Sequence, residues 1–268
     1  MDSDAHLLSL AVEIAREAGE LARMRRDEGV AIAATKSGLA DIVTEADREV
    51  ERLIRSRIAE ARPDDGFLGE ESEAEPGRSG VTWVVDPIDG TVNYAYGVPA
   101  YAVSIGIVEG PPDPATWTAV AGVVHNPASG ELFRAARGEG AFLGDRRLAV
   151  LDEPDAAGAL IATGLSYDPE RRLQQFEILG RVLPLARDIR RIGAASLDLA
   201  FVAAGRLDAY YEWGLWPWDL AAGSLIVQEA GGLVGGLEGA RAGRELLIAA
   251  SPAFYARLAD VLADVLAG

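Results

Sequence analysis

Apolar residues recur at Leu7, Leu8, Ala11, Ile14, Ala15, Ala18, Leu21 and Ala22, with charges between them and Gly29 just beyond. That is the spacing of one helix face and predicts a helix over residues 4–26. A second stripe, Val50, Leu53, Ile54 and Ile58, predicts a helix that starts at Thr44 and stops before Pro63. Then the period changes. Phe67 and Leu68 predict a short strand leading into Gly69, and the charged segment SEAEPGRSG a loop. The apolar run at 83–85 predicts a buried strand ending at Asp86. YAVSIGIVEG, TWTAVAGVV, ELFRAA and AFLG predict further strands with no helix between them, hence an antiparallel sheet.

From about residue 150 the rhythm alternates. Strands are predicted at LIATG, RDIRRIG, LDAYYE and LLIAA. Helices are predicted from the Asp168-Pro169 cap to about Leu183, over 195–204, from Trp218-Asp219 to the Gly231-Gly232 pair, and over 252–266. Alternation of this kind predicts a more nearly parallel sheet. The expected architecture is therefore α/β, with an α+β half over 1–148 and an α/β half over 149–268. At 268 residues the chain is long for one domain and short for two, so the halves form one compact unit. No linker separates them, which predicts a ligand cleft where they meet.

Charge and composition narrow the chemistry. Forty-two acidic residues against 25 basic ones give a net charge of −17, which argues against nucleic acid and anionic membranes as partners. The same field repels a phosphate, unless bound divalent cations invert the local sign. Without cysteine there is no thiol catalysis, Cys-ligated zinc or disulfide. That fits a reducing compartment, and with an acidic N-terminus and no long apolar run the expected location is the cytoplasm. Of two histidines, His125 in VVHNP is the one a triad would need; it reads better as a satisfied turn residue.

The stretch that organises the chain is WVVDPIDGTVNY, residues 83–94. Asp86 and Asp89 flank a rigid Pro87 turn, so both carboxylates, with the Ile88 carbonyl, can meet a hard cation such as Mg²⁺. Gly90 lets backbone approach a ligand, and amides after it face an anion if a helix starts there. Alone, the segment also reads as a surface acidic turn. WDLAAGSLIVQEAGG adds Asp219, which reads as a helix cap or as a ligand behind Trp213, Trp216 and Trp218. Glu70 in GEES reads as a solvated turn or another oxygen ligand, and Asp47 as the far half of a Thr44 capping box. TKSGLADIV places Lys36 and Asp41 in a loop. GEGAFLG lies among strands, so it is a poor dinucleotide motif, and no GxxxxGK[ST] loop occurs.

In order, KSGLADIVTEAD, FLGEES, WVVDPIDGTVNY, AVSIGI, GVVHNP, RIGAASLDLAFVAAGRLDAYYE and WDLAAGSLIVQEAGG resemble the inositol monophosphatase family, whose relatives include fructose-1,6-bisphosphatase and 3′-nucleotidases. The resemblance covers nearly the whole chain and implies a five-layer αβαβα sandwich. It implies ligation of two or three Mg²⁺ ions, or Mn²⁺, by Glu70, Asp86, the Ile88 carbonyl, Asp89 and Asp219. Thr91 and Asp47 match a pair that orients and deprotonates the attacking water. Gly90 and Thr91 match the amides that hold the phosphate. Gly193, Ala194 and Ala195 match a segment lining the substrate ring, and Glu212 an acid that binds ring hydroxyls. Implied with these are hydrolysis of a small phosphate monoester, foremost inositol-1-phosphate, inhibition by lithium, and a homodimer. NYAYGVP and Gly164-Leu165-Ser166 depart from some relatives, and so bear on the choice of substrate.

Overall fold

The protein is seen in a computed structural model that describes residues 4–30, 32–35, 42–154 and 158–267. In chain order the elements are α1 (Asp4–Glu28), β1 (Ile32–Thr35), β2 (Ile42–Thr44), α2 (Glu45–Ala61), β3 (Gly66–Gly69), β4 (Val81–Asp89), α3 (Thr91–Tyr96), β5 (Ala102–Glu109), β6 (Thr118–Asn126), β7 (Glu131–Ala136), β8 (Gly140–Leu143) and β9 (Arg146–Arg147). They continue with β10 (Ala159–Thr163), α4 (Pro169–Val182), β11 (Ala186–Arg190), α5 (Ala195–Ala203), β12 (Ala209–Glu212), α6 (Pro217–Glu229), β13 (Leu233–Gly235), β14 (Leu247–Ala250) and α7 (Pro252–Ala267).

A seven-stranded sheet runs β3 to β9 in sequence order, antiparallel except for the β3–β4 pair. A five-stranded sheet has the order β11-β10-β12-β14-β13. Alternation along β4 shows how the layers form. Trp83 and Val85 face α1 and α2, packing with Ile14 and Ile54, while Val84 faces the opposite way with Leu199 and Ile226 of α5 and α6. The second sheet alternates likewise. Tyr210 joins the α5/α6 core, and Tyr211 packs with Ile178, Phe254 and Leu258 beneath α4 and α7. The result is the αβαβα sandwich expected from the sequence.

Two strand glycines set the spacing of the middle layer. A Cβ at Gly106 would lie 2.6 Å from that of Ala221, and one at Gly122 would lie 2.8 Å from the Ala222 carbonyl. Their absence lets α6 lie directly on β5 and β6, and this fixes the height of Asp219.

Two expectations need correction. The second sheet is mixed: β10, β11 and β12 are parallel, but β14 runs antiparallel to both β12 and β13. The strand β13 was not expected at all, because the two apolar residues between the glycine pairs carry no readable period. The segment at Asp86 is also not a turn. The strand β4 continues to Asp89, with its pairing to β5 interrupted between Asp86 and Asp89.

Candidate active site

That interruption puts one extra residue into β4, since Asp86 pairs with Ser104 and Asp89 with Ala102. A bulge of this kind re-aims side chains, and Pro87 has no N–H to lose from the ladder. Asp86 and Asp89 are thus both buried and both line a cleft of about 620 Å³. Gly90 follows with φ at +87°, and a Cβ there would lie 3.0 Å from the Ala100 carbonyl. The conformation and the crowding each call for glycine. The short helix α3 begins at the next residue.

Glu70, Asp86, Ile88, Asp89, Gly90, Thr91, Gly193, Ala194, Ala195, Glu212 and Asp219 all line this cleft. Trp213, Trp216 and Trp218 line it too, with Trp216 stacked on Trp218 at 5.5 Å. Asp219 is not the cap of α6 but its third residue, since Pro217 opens the helix; Asp219 Oδ2 accepts the Trp216 amide at 2.6 Å. The Asp89 carboxylate accepts the amides of Ala195 and Ser196 at 3.2 and 2.7 Å and the Ser196 hydroxyl at 2.5 Å. Asp86 Oδ1 accepts the Ile88 amide, at 3.1 Å, and no other hydrogen bond from the described residues.

These carboxylates press on one another. Burial holds Asp86 well above the ordinary carboxylate range, and Glu70, Asp89, Asp219 and Asp47 push it further. Burial, then Asp89 and Glu70, raise Asp219 in the same way, against the Trp216 amide. Asp89 is also raised by burial, opposed by Ser196, Ala195 and Arg191. Among the described residues no three acidic, imidazole or thiol groups already close on one point as a metal-ligand group. Asp89 and Asp219 instead turn oxygens toward backbone amides. The donor set nevertheless fits a hard divalent cation, being all carboxylate and carbonyl oxygen. Buried carboxylates that raise one another's pKa are the arrangement positive charge relieves.

Asp47 lies behind this wall, fully buried at the start of α2. The capping box is present: Asp47 Oδ2 accepts the Thr44 amide at 2.8 Å and the Thr44 hydroxyl at 2.5 Å. Its other oxygen is turned to the site, where Oδ1 lies 3.2 Å from the Thr91 hydroxyl. That hydroxyl is also 3.1 Å from the Ile88 carbonyl, and its single proton serves one acceptor at a time. Burial pushes the Asp47 carboxyl up to about 6, against the hydrogen bonds from Thr44. Asp47 is therefore both the third-residue half of the Thr44 capping box and a neighbour of Thr91.

On the opposite wall Glu212 is half-buried, with the Tyr210 hydroxyl donating to Oε2 at 2.5 Å. Burial pushes its carboxyl up to about 7, with Tyr210 and Arg191 opposing. Sequence reasoning missed Ser196, Tyr210 and Asn93. The Asn93 amide donates to the carbonyls of Ala100 and Ile192 at 2.7 and 2.8 Å, tying α3 to the loop before α5. Asn93 stood inside the organising motif and was the one most open to discovery. His125 is buried away from the cleft, with Nδ1 3.0 Å from the Ala15 carbonyl, so it is satisfied as expected, but within β6 and not in a turn. In GEGAFLG the amides of Gly138 and Gly140 donate to Glu229 at 2.7 Å each, in a hairpin. Lys36 and Asp41 lie outside the described residues.

A family model described as the inositol monophosphatase family matches residues 3–266. This chain belongs to the inositol monophosphatase family. It is 46% identical over 249 residues to the inositol-1-monophosphatase SuhB of Mycobacterium tuberculosis, covering 86% of this chain and 83% of that protein. It is 42% identical over 234 residues to a Pasteurella multocida protein named Nus factor SuhB, covering 85% and 84%. The solved structure of the extragenic suppressor protein SuhB from Bartonella henselae superposes with a TM-score of 0.87 at 38% identity, covering 96% of this chain and 98% of that one. Among the described residues no helix is long and apolar enough to cross a membrane. Members of the inositol monophosphatase family are typically Mg²⁺-dependent, in keeping with the acidic wall.

Proposed function

We propose that the chain hydrolyses inositol-1-phosphate to inositol and inorganic phosphate, with Glu70, Asp86, the Ile88 carbonyl, Asp89 and Asp219 holding two or three Mg²⁺ ions. Bound there, Mg²⁺ (or Mn²⁺) supplies the Lewis-acid charge that a phosphate dianion needs in a protein of net charge −17. The Thr91 hydroxyl orients the attacking water and Asp47 takes its proton, so no covalent intermediate is needed. The amides of Gly90 and Thr91 hold the phosphate, Gly193, Ala194 and Ala195 line the ring, and Glu212 accepts hydrogen bonds from its hydroxyls. The observation that carries the reading is the contact between Asp47 and Thr91, 44 residues apart in sequence, at the edge of a cleft lined by the whole acidic set. A capping residue alone has no need of that second contact. Lithium inhibition, a homodimer and a cytoplasmic location are proposed with it, on the habit of the family.

Phosphate release from a panel tests this: inositol-1-phosphate, histidinol phosphate, a nucleotide 3′-phosphate and a sugar bisphosphate, each with Mg²⁺. Preference for inositol-1-phosphate is expected, and a different favourite would keep the chemistry and change the substrate. The relative named Nus factor SuhB favours a second, compatible reading, in which the fold also serves as an interaction protein. No release from any member of the panel would leave that reading alone standing.

A further inference from the structure

We infer that Tyr210 and Gly164 are positioning residues that hold the Glu212 carboxylate where it meets the hydroxyls of the substrate ring. This rests on the role proposed above for Glu212. Residues 210 and 212 fall on the same face of β12, since side chains alternate along a strand. Tyr210 is fully buried in the core under α5 and α6, and its hydroxyl emerges at Glu212 Oε2, 2.5 Å away. With the phenol donating to one oxygen, the acceptor capacity of Oε1 is left for a ligand.

Gly164 completes the seat from the neighbouring strand. Thr163 of β10 pairs with Tyr211 of β12, so the next residue on each strand brings Gly164 beside Glu212. A Cβ at Gly164 would lie 1.8 to 2.0 Å from the Glu212 carboxyl atoms. Its φ is not in the left-handed region, so the backbone does not demand glycine there. The carboxylate occupies the space a side chain would fill. Charge alone would not hold it in place. Asp89 repels it, Arg191 attracts it, and Asp198 lies close by, buried with Oδ1 unpartnered. A short directed hydrogen bond on one side and a missing Cβ on the other fix the geometry.

Tyr210→Phe removes the hydroxyl and leaves the ring in its apolar seat. The expected result is a rise of about tenfold in KM for inositol-1-phosphate with kcat little changed. The effect on kcat/KM for p-nitrophenyl phosphate, which has no ring hydroxyl, should be much smaller. Gly164→Ala should give the same selective loss by pushing Glu212 aside, and if it does not fold Tyr210→Phe still decides. Either change added to Glu212→Gln should cost little more than Glu212→Gln alone, because the groups act as a unit. If Glu212→Gln is selective for inositol-1-phosphate and Tyr210→Phe leaves both substrates untouched, the positioning is refuted while Glu212 keeps its role. If Glu212→Gln lowers both substrates equally, the role of Glu212 fails and the inference falls with it. Equal losses on both substrates in Tyr210→Phe, with a lower Tm, would make Tyr210 a packing residue only and overturn the inference.

Discussion

Asp47 and Asp86 are both buried carboxylates of one site, and the protein treats them oppositely. Asp47 accepts from the Thr44 amide, the Thr44 hydroxyl and the Thr91 hydroxyl, and its carboxyl stands at about 6. Among the described residues Asp86 accepts one amide; burial holds it well above the ordinary range, and neighbouring carboxylates, Glu70 foremost, push it further. Hydrogen bonds that favour the ionised form keep a buried acid usable as a proton acceptor near neutral pH. Carboxylates crowded against each other instead store repulsion that a bound cation would relieve. Among the described residues one acid is satisfied by the chain itself, and the other is not, which is what the proposed metal-ligand role would use.

The largest effect should come from breaking the acidic side. Asp86→Asn removes a ligand and a negative charge, so Mg²⁺-supported turnover should fall by about 10³-fold or more, the scale of transition-state charge that a metal supplies. Full turnover of the parent protein in excess chelator would dispose of the metal assignment. The metal-free protein should not be weakened by Asp86→Asn: its Tm should rise as repulsion is relieved, and the Tm gain given by Mg²⁺ should shrink. A lower metal-free Tm would show that Asp86 is already well satisfied, and the contrast with Asp47 would be lost.

Next in size is Asp47→Asn. An asparagine oxygen can still accept the Thr44 amide, so as half of the capping box alone the residue should lose about 1 kcal/mol or less of stability and no rate. As the base, its loss should cost about 10²–10⁴-fold in kcat. Thr91→Ala should be comparably damaging, and the double variant little worse than either single one. Near-normal kcat in a folded Asp47→Asn protein would return this residue to the cap.

The same contrast explains what the sequence could convey. The acids of WVVDPIDG and WDLAAG were legible because local spacing and order carry them, as were α1 and α2 through their apolar stripes. The bulge in β4 was not, because Pro87 and Gly90 permit both a turn and a bulged strand, and only pairing with β5 decides. Ser196 looks like an ordinary first-turn serine until Asp89, 107 residues earlier, is placed against it. Gly106 and Gly122 look like weak points in strands, yet they make room for α6. Gly164 reads in sequence only as part of a segment that departs from some relatives, and its reason for being glycine is a carboxylate on the neighbouring strand. Each missed feature is a relation between distant segments.

A smaller effect concerns pH. A folded-state pKa near 6 against an ordinary value of 3.8 means that the folded protein holds a proton on Asp47 that the unfolded chain releases. Stability from that proton is present in acid and is lost as pH rises between about 4 and 6. Metal-free Asp47→Asn protein lacks this loss, so its Tm relative to the parent should climb through that window. A difference that stays flat would mean that Asp47 titrates near its ordinary value.

The smallest and sharpest change is Thr44→Ala. It deletes the hydroxyl that donates to Asp47 Oδ2, while the backbone amide at that position and the Thr91 contact remain. The loss of a cap side chain costs about 1 kcal/mol, a Tm drop of a few degrees. If Asp47 is the base, kcat/KM falls as the residue takes up its proton in acid. Losing a hydrogen bond that favours the ionised form then moves that acid limb to higher pH, while the plateau rate stays near the parent value. Thr44→Ser, which keeps the hydroxyl, should restore both the Tm and the limb. A lower Tm with an unmoved limb would mean that the Thr44 hydroxyl serves the helix and not the proton acceptor, and that the two duties of Asp47 are separable.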